Sequence, residues 1–167
     1  MNNKMIAMVF LAVLILLPAC GGDKDSTPTA VGTETTAPAG KVYECKYFTM
    51  NLAEGWDAGP MTFGMINVLP KGKVSPGLYF KFEGDGNAAG TAESSINSMI
   101  ENYGGSPMED SIIAATTFKT TTYAYRGMTQ TMHVAFRNGT KITITIEGPK
   151  AKENADIQSM LKTLALN

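Results

Sequence analysis

Two alternating runs face each other across a single Asn-Gly step. Met132-His133-Val134-Ala135-Phe136 precedes Arg137-Asn138-Gly139, and Ile142-Thr143-Ile144-Thr145-Ile146 follows it. Apolar residues at every second position are what a strand with one buried face requires, because successive side chains point to opposite sides. Asn-Gly between two such runs supplies the positive backbone angles of a tight hairpin, so this part of the chain must form antiparallel sheet. Two loop lengths compete. A two-residue Asn138-Gly139 loop pairs Ala135 with Ile142 and His133 with Ile144, which puts the two apolar rows on opposite faces. A three-residue Arg137-Asn138-Gly139 loop pairs Val134 with Ile142 and Met132 with Ile144, which puts both rows on one face. Register follows the buried face. The three-residue loop is therefore expected, with Gly139 in the left-handed bulge position and His133 and Lys141 near solvent.

The same logic extends outward. Phe48, Met50 and Leu52 alternate within Tyr47 to Leu52 and predict a strand, followed by a turn at Glu54-Gly55-Trp56. Met61 to Leu69 predicts a second strand, broken by Pro70 and Lys71-Gly72-Lys73, and Leu78, Phe80 and Phe82 mark a third. Ala92, Ile96, Met99, Ile100 and Tyr103 form one stripe at helical spacing, with Thr91 placed to cap the start and Gly104-Gly105 to stop the end. Ser111 to Glu147 is β-rich throughout. Ile157, Met160, Leu161 and Leu164 predict a final helix from about Glu153 to Ala165. Each helix must bury its stripe against something, so the fold class is α+β: a mainly antiparallel sheet with two amphipathic helices packed on it.

The first forty residues have a different character. Lys4 precedes an uncharged apolar run from Met5 to Leu17, shorter than the roughly 20 residues that span a bilayer. A short apolar core ending in small residues is the form of an export signal. Its ending, Leu17-Pro18-Ala19-Cys20, resembles the bacterial lipobox, in which the cysteine sulfur takes a diacylglyceryl group before cleavage. Residues 1–19 then read as a lipoprotein signal peptide, and Cys20 as the lipidation site that anchors the protein to the membrane. Residues 20–40, rich in Gly, Ser, Thr, Pro and Ala, cannot bury enough surface to order themselves and read as a linker. As a random coil it would span roughly 25 Å. Residues 41–167 form the folded domain, placed in the cell envelope and facing the periplasm or the cell exterior. With Cys20 acylated, Cys45 has no intrachain partner and reads as a small buried hydrophobe.

Charge and motifs narrow the function further. From Lys41 onward, basic and acidic side chains are equal in number, which argues against a nucleic-acid partner. The chain has one histidine, so a multi-histidine metal site cannot be assembled from it. Gly84-Asp85-Gly86-Asn87-Ala88-Ala89-Gly90 misses the phosphate-loop spacing by one residue, and as a calcium loop it lacks carboxylates. Ser159-Met160-Leu161-Lys162 matches Ser-x-x-Lys without the other motifs of penicillin-binding enzymes. No catalytic, cofactor-binding or metal residues are expected. Trp56, with Tyr43, Tyr47 and Tyr79, reads as core, with an aromatic binding cleft as the alternative.

Taken together, Tyr47-Phe48-Thr49-Met50-Asn51-Leu52 leading into Glu54-Gly55-Trp56, a middle helix, a long meander and a terminal helix ending Met160-Leu161-Lys162-Thr163-Leu164 resemble the PsbP-like superfamily, including its bacterial DcrB-type lipoproteins. Ala53 stands where related sequences often carry proline. The resemblance implies an α/β/α sandwich without enzymatic activity, used as an accessory or partner-binding module. The expected function is accordingly a lipid-anchored envelope lipoprotein that binds an envelope protein. The alternative is a binding module for a small apolar or aromatic ligand.

Overall fold

A computed structural model describes residues 40–84 and 90–167. Seven strands make one antiparallel sheet: β3 (Trp56–Pro60), β4 (Met65–Pro70), β5 (Gly77–Glu83), β6 (Glu109–Ile113), β7 (Thr116–Tyr125), β8 (Met128–Arg137) and β9 (Thr140–Glu147). Their spatial order is β3-β4-β5-β9-β8-β7-β6. After β5 the chain crosses through helix α1 (Ala92–Tyr103) to the far edge, then meanders back until β9 pairs with β5 at the centre. Three short strands, β1 (Val42–Glu44), β2 (Phe48–Asn51) and β10 (Ala165–Leu166), form a second sheet. Helix α2 (Ala155–Thr163) packs beside β2. The layers are therefore α1, the long sheet, then α2 with the small sheet.

Both helices begin at residues built for it. The Thr91 hydroxyl accepts a hydrogen bond from the Ser94 amide while the Ser94 hydroxyl accepts one from the Thr91 amide, and Gly104 ends α1 at a left-handed φ of 66°. Asn154 caps α2 by accepting from the Ile157 amide. The final helix is shorter than its periodicity predicts, because a single 3-10 turn (Ala151–Glu153) precedes it and Leu164 is already extended. Trp56, expected in a turn, opens strand β3. Its indole donates to Asp156 Oδ2 at 3.0 Å, tying the sheet edge to α2.

The register of the β8–β9 hairpin corrects the expectation. Arg137 pairs with Thr140, Ala135 with Ile142 and His133 with Ile144, so the loop is the two-residue Asn138-Gly139 turn, with φ of 50° and 74°. That is the mirror-image turn that matches strand twist and that Asn-Gly favours. The physical reason is that α1 covers part of the second face of this sheet, over β7 and β8. Ile142, Ile144 and Ile146 enter the main core with Phe80, Leu78, Phe48 and Met160. Val134, on the opposite face and only 1% exposed, lies on the side where α1 packs with the fully buried Ile96. Val134 thus finds cover on the second face, while Phe136 at the end of that row is 39% exposed, and His133 goes inward with the isoleucines.

Candidate functional site

His133 is 5% exposed, not solvated as the one-sided register required. It sits where the main core runs out toward the β6 edge, and the inward positions there turn polar: Ser111 on β6, Thr120 on β7 and Thr131 on β8. His133 Nδ1 lies 2.9 Å from Thr120 Oγ1 and 3.0 Å from Ser111 Oγ, and the two hydroxyl oxygens are 2.8 Å apart. Phe118 meets the imidazole edge-on, with ring centroids 6.4 Å apart.

The triangle is satisfied with the hydrogen on Nε2: Nδ1 accepts from one hydroxyl, that oxygen accepts from the other, and every hydroxyl hydrogen in the cluster is used. Burial and, after it, the nearby Lys152 ammonium push the imidazole pKa down to about 4, so the ring is neutral near pH 7. Nε2 is itself buried and has no hydrogen-bond partner among the described residues.

A cavity of about 450 Å³ adjoins this histidine. Ile113 and the Ala114-Ala115 turn form one wall, Ile146 the floor, and Leu161 on α2 the opposite wall, while Lys152, Gln158 and Lys162 supply its polar groups. Ala114 and Ala115 both hold positive φ, 50° and 55°. The other two hairpin turns of the meander meet the same demand with Arg126-Gly127 and Asn138-Gly139. Alanine has no easy access to that region, and such strain is characteristically held where surrounding structure over-determines it.

The remaining candidates fall elsewhere. Cys20 lies outside the described residues, as do residues 85–89 of the glycine-rich stretch. Trp56 is buried at the β3 edge, Tyr47 stacks on Phe82 with centroids 4.4 Å apart, and Tyr43 tilts against Phe48, so these rings belong to the core and its margin and form no shared cleft. Tyr79 is bonded to Glu147 on the opposite face of the long sheet. Cys45 is a free, half-buried thiol packed against the core. Ser159 is half-buried and Lys162 exposed on α2. Sequence reasoning missed Ser111, Thr120 and Lys152. The Asn138-Gly139 turn, taken at its commonest loop length, was the signal that would have turned His133 inward beside them.

No protein-family model matches the sequence, and no curated protein matches it. Solved structures do. A solution structure of cyanobacterial PsbP (CyanoP) from Synechocystis sp. PCC 6803 superposes with a TM-score of 0.51 at 11% identity, over 85% of this chain and 98% of that one. The fold is PsbP-like. A crystal structure from Bacteroides thetaiotaomicron VPI-5482 gives a TM-score of 0.55 at 15% identity over 77% of this chain. The match spans about half of that protein, 49% of its length. At such identities the likeness concerns the PsbP-like architecture alone: a long antiparallel sheet between helical layers.

Proposed function

We propose that this chain is a lipid-anchored, non-catalytic protein of the cell envelope, tethered through Cys20, whose PsbP-like domain binds a small ligand in the cavity beside His133. The observation that carries this reading is the largely apolar cavity of about 450 Å³ that His133 lines together with Lys152. The resemblance to DcrB-type lipoproteins supports the anchored part of the reading. The absence of catalysis is supported by the same imidazole: with a pKa of about 4 it is too weak a base to draw a proton from Ser111 near neutral pH.

Native mass spectrometry of the protein extracted from its own membranes tests both halves. A diacylglyceryl adduct on Cys20 is expected, and an unmodified Cys20 would remove the anchor. A co-purifying small molecule is expected too, and it should be lost when Leu161→Trp fills the cavity.

A protein partner is the second reading, favoured by the tip of the β3–β4 hairpin. Phe63 there is 90% exposed and held at a left-handed φ of 63°, with Met61 beside it at 41% exposure. Large apolar groups displayed on a strained loop are what a binding anchor requires. Crosslinking in whole cells, with and without Phe63→Ser, tests it: an adduct that survives the substitution places any partner elsewhere.

A further inference from the structure

We infer that the ligand of the His133 cavity is an apolar monocarboxylate: an aliphatic or aromatic body carrying a single carboxylate and no ammonium group. This rests on the ligand-binding reading above and narrows it to one chemical class.

The polar end of the site fixes the charge. The charged groups there are cationic, so a ligand that complements them brings negative charge. One is the Lys152 ammonium, and Lys162 adds another on the α2 side. No aspartate or glutamate occurs among the described residues that line the cavity. Two cations, with no acid beside them, repel a cationic ligand. A ligand carboxylate accepts from the Lys152 ammonium in a charge-assisted hydrogen bond. No arginine stands in the lining to form the planar fork that favours phosphate.

The rest of the cavity fixes the body. Ile113, Ala114, Ala115, Ile146 and Leu161 offer no hydrogen-bonding side chain, so whatever lies against them must be apolar. The cavity, at about 450 Å³, is within the range of small-ligand sites and far below what a folded partner would need.

The test is calorimetric titration of the full chain, as the cell processes it, with three probes of one body: heptanoate, heptan-1-ol and heptylammonium. Heptanoate should bind more than about tenfold tighter than heptanol, and heptylammonium should not bind. Lys152→Gln, a change at an exposed side chain, should bring heptanoate down to the affinity of heptanol and leave heptanol unchanged. Leu161→Trp should abolish binding of both. If heptanol or heptylammonium bound as tightly as heptanoate, or if Lys152→Gln lowered both affinities equally, the carboxylate assignment would be wrong while the cavity remained a ligand site. If none of the three bound, or if Leu161→Trp left heptanoate binding intact, the cavity reading would fall with it.

Discussion

The two faces of the long sheet are built to different standards. The face toward α2 is a continuous apolar layer through its centre: Val68, Leu78, Phe80 and Ile144 are all completely buried and touch Phe48, Ile157 and Met160 from the layer above. Among the described residues, the face toward α1 is covered by that helix over β7 and β8, where Val134 and Ile96 are buried. Beyond the helix it carries Lys81, Glu83 and Lys141, with Lys81 Nζ 2.8 Å from Glu83. Lys119 reaches from that face to Asp110 at 2.8 Å and to Glu93 of α1 at 3.6 Å, at the surface. One face holds the fold together, and the other is half covered and half solvated. The candidate site belongs to neither regime. It lies on the core face at the edge where apolar layering gives way to Ser111, Thr120, Thr131 and His133.

The sharpest way to break this contrast is to shorten neighbours on β9 that point to opposite faces. Ile144→Ala should cost about 2–5 kcal/mol, since it removes fully buried volume from the main core. Thr143→Ala, one residue earlier and facing the other way, should cost below about 0.5 kcal/mol in the same denaturant melts. Equal costs would show the faces to be equivalent.

The edge of the core face should reveal itself through pH. Because the folded pKa of His133 lies near 4 and the unfolded value near 6.5, the unfolded chain binds more protons between those limits. Stability from this group is therefore complete above pH 6.5 and is lost as the pH falls toward 4. The loss should be on the order of 3 kcal/mol relative to His133→Asn, whose profile lacks the titrating group. Parallel profiles for the two proteins would place the imidazole in water.

A smaller effect compares hairpins at the two ends of the meander. Giving the β6–β7 turn the residues of the β8–β9 turn, as Ala114→Asn with Ala115→Gly, should raise stability by about 1 kcal/mol, because both positions already hold positive φ. A loss instead would show that the alanine methyls pack in a way that outweighs the backbone strain. Smallest of all, Phe63→Ser should change stability by less than about 0.5 kcal/mol, as its 90% exposure implies. A larger loss would mean that the loop tip is part of the fold and not a displayed anchor.

Much of this architecture was legible in the residues. The stripe from Ala92 to Tyr103, with Thr91 before it and Gly104 after, predicts α1 at both ends, because cap and period agree. Phe48-Thr49-Met50 and Leu78-Tyr79-Phe80 read directly as strands with one buried side. The hairpin at Asn138-Gly139 did not, although its turn residues were plain. Alternation shows that one row is buried, but whether the other row is buried too depends on a helix nearly thirty residues upstream. The site was hidden for the same reason. Ser111, Thr120 and His133 are polar residues in strands and read as solvent-facing until the register turns them inward together. Lys152, in a 3-10 turn with no periodic pattern, carries no local signal at all.

Everything at the site depends on His133 being buried and neutral. The chain has a single histidine, so its ring resonances need no assignment by mutation. A nitrogen-15 titration of that ring is the most direct measurement. It should show one protonated and one bare nitrogen, with Nε2 carrying the hydrogen, unchanged on acidification until a midpoint near 4. A midpoint near 6.5, with rapid exchange of the ring hydrogen, would put His133 on the surface and contradict the register, the cavity and the ligand together.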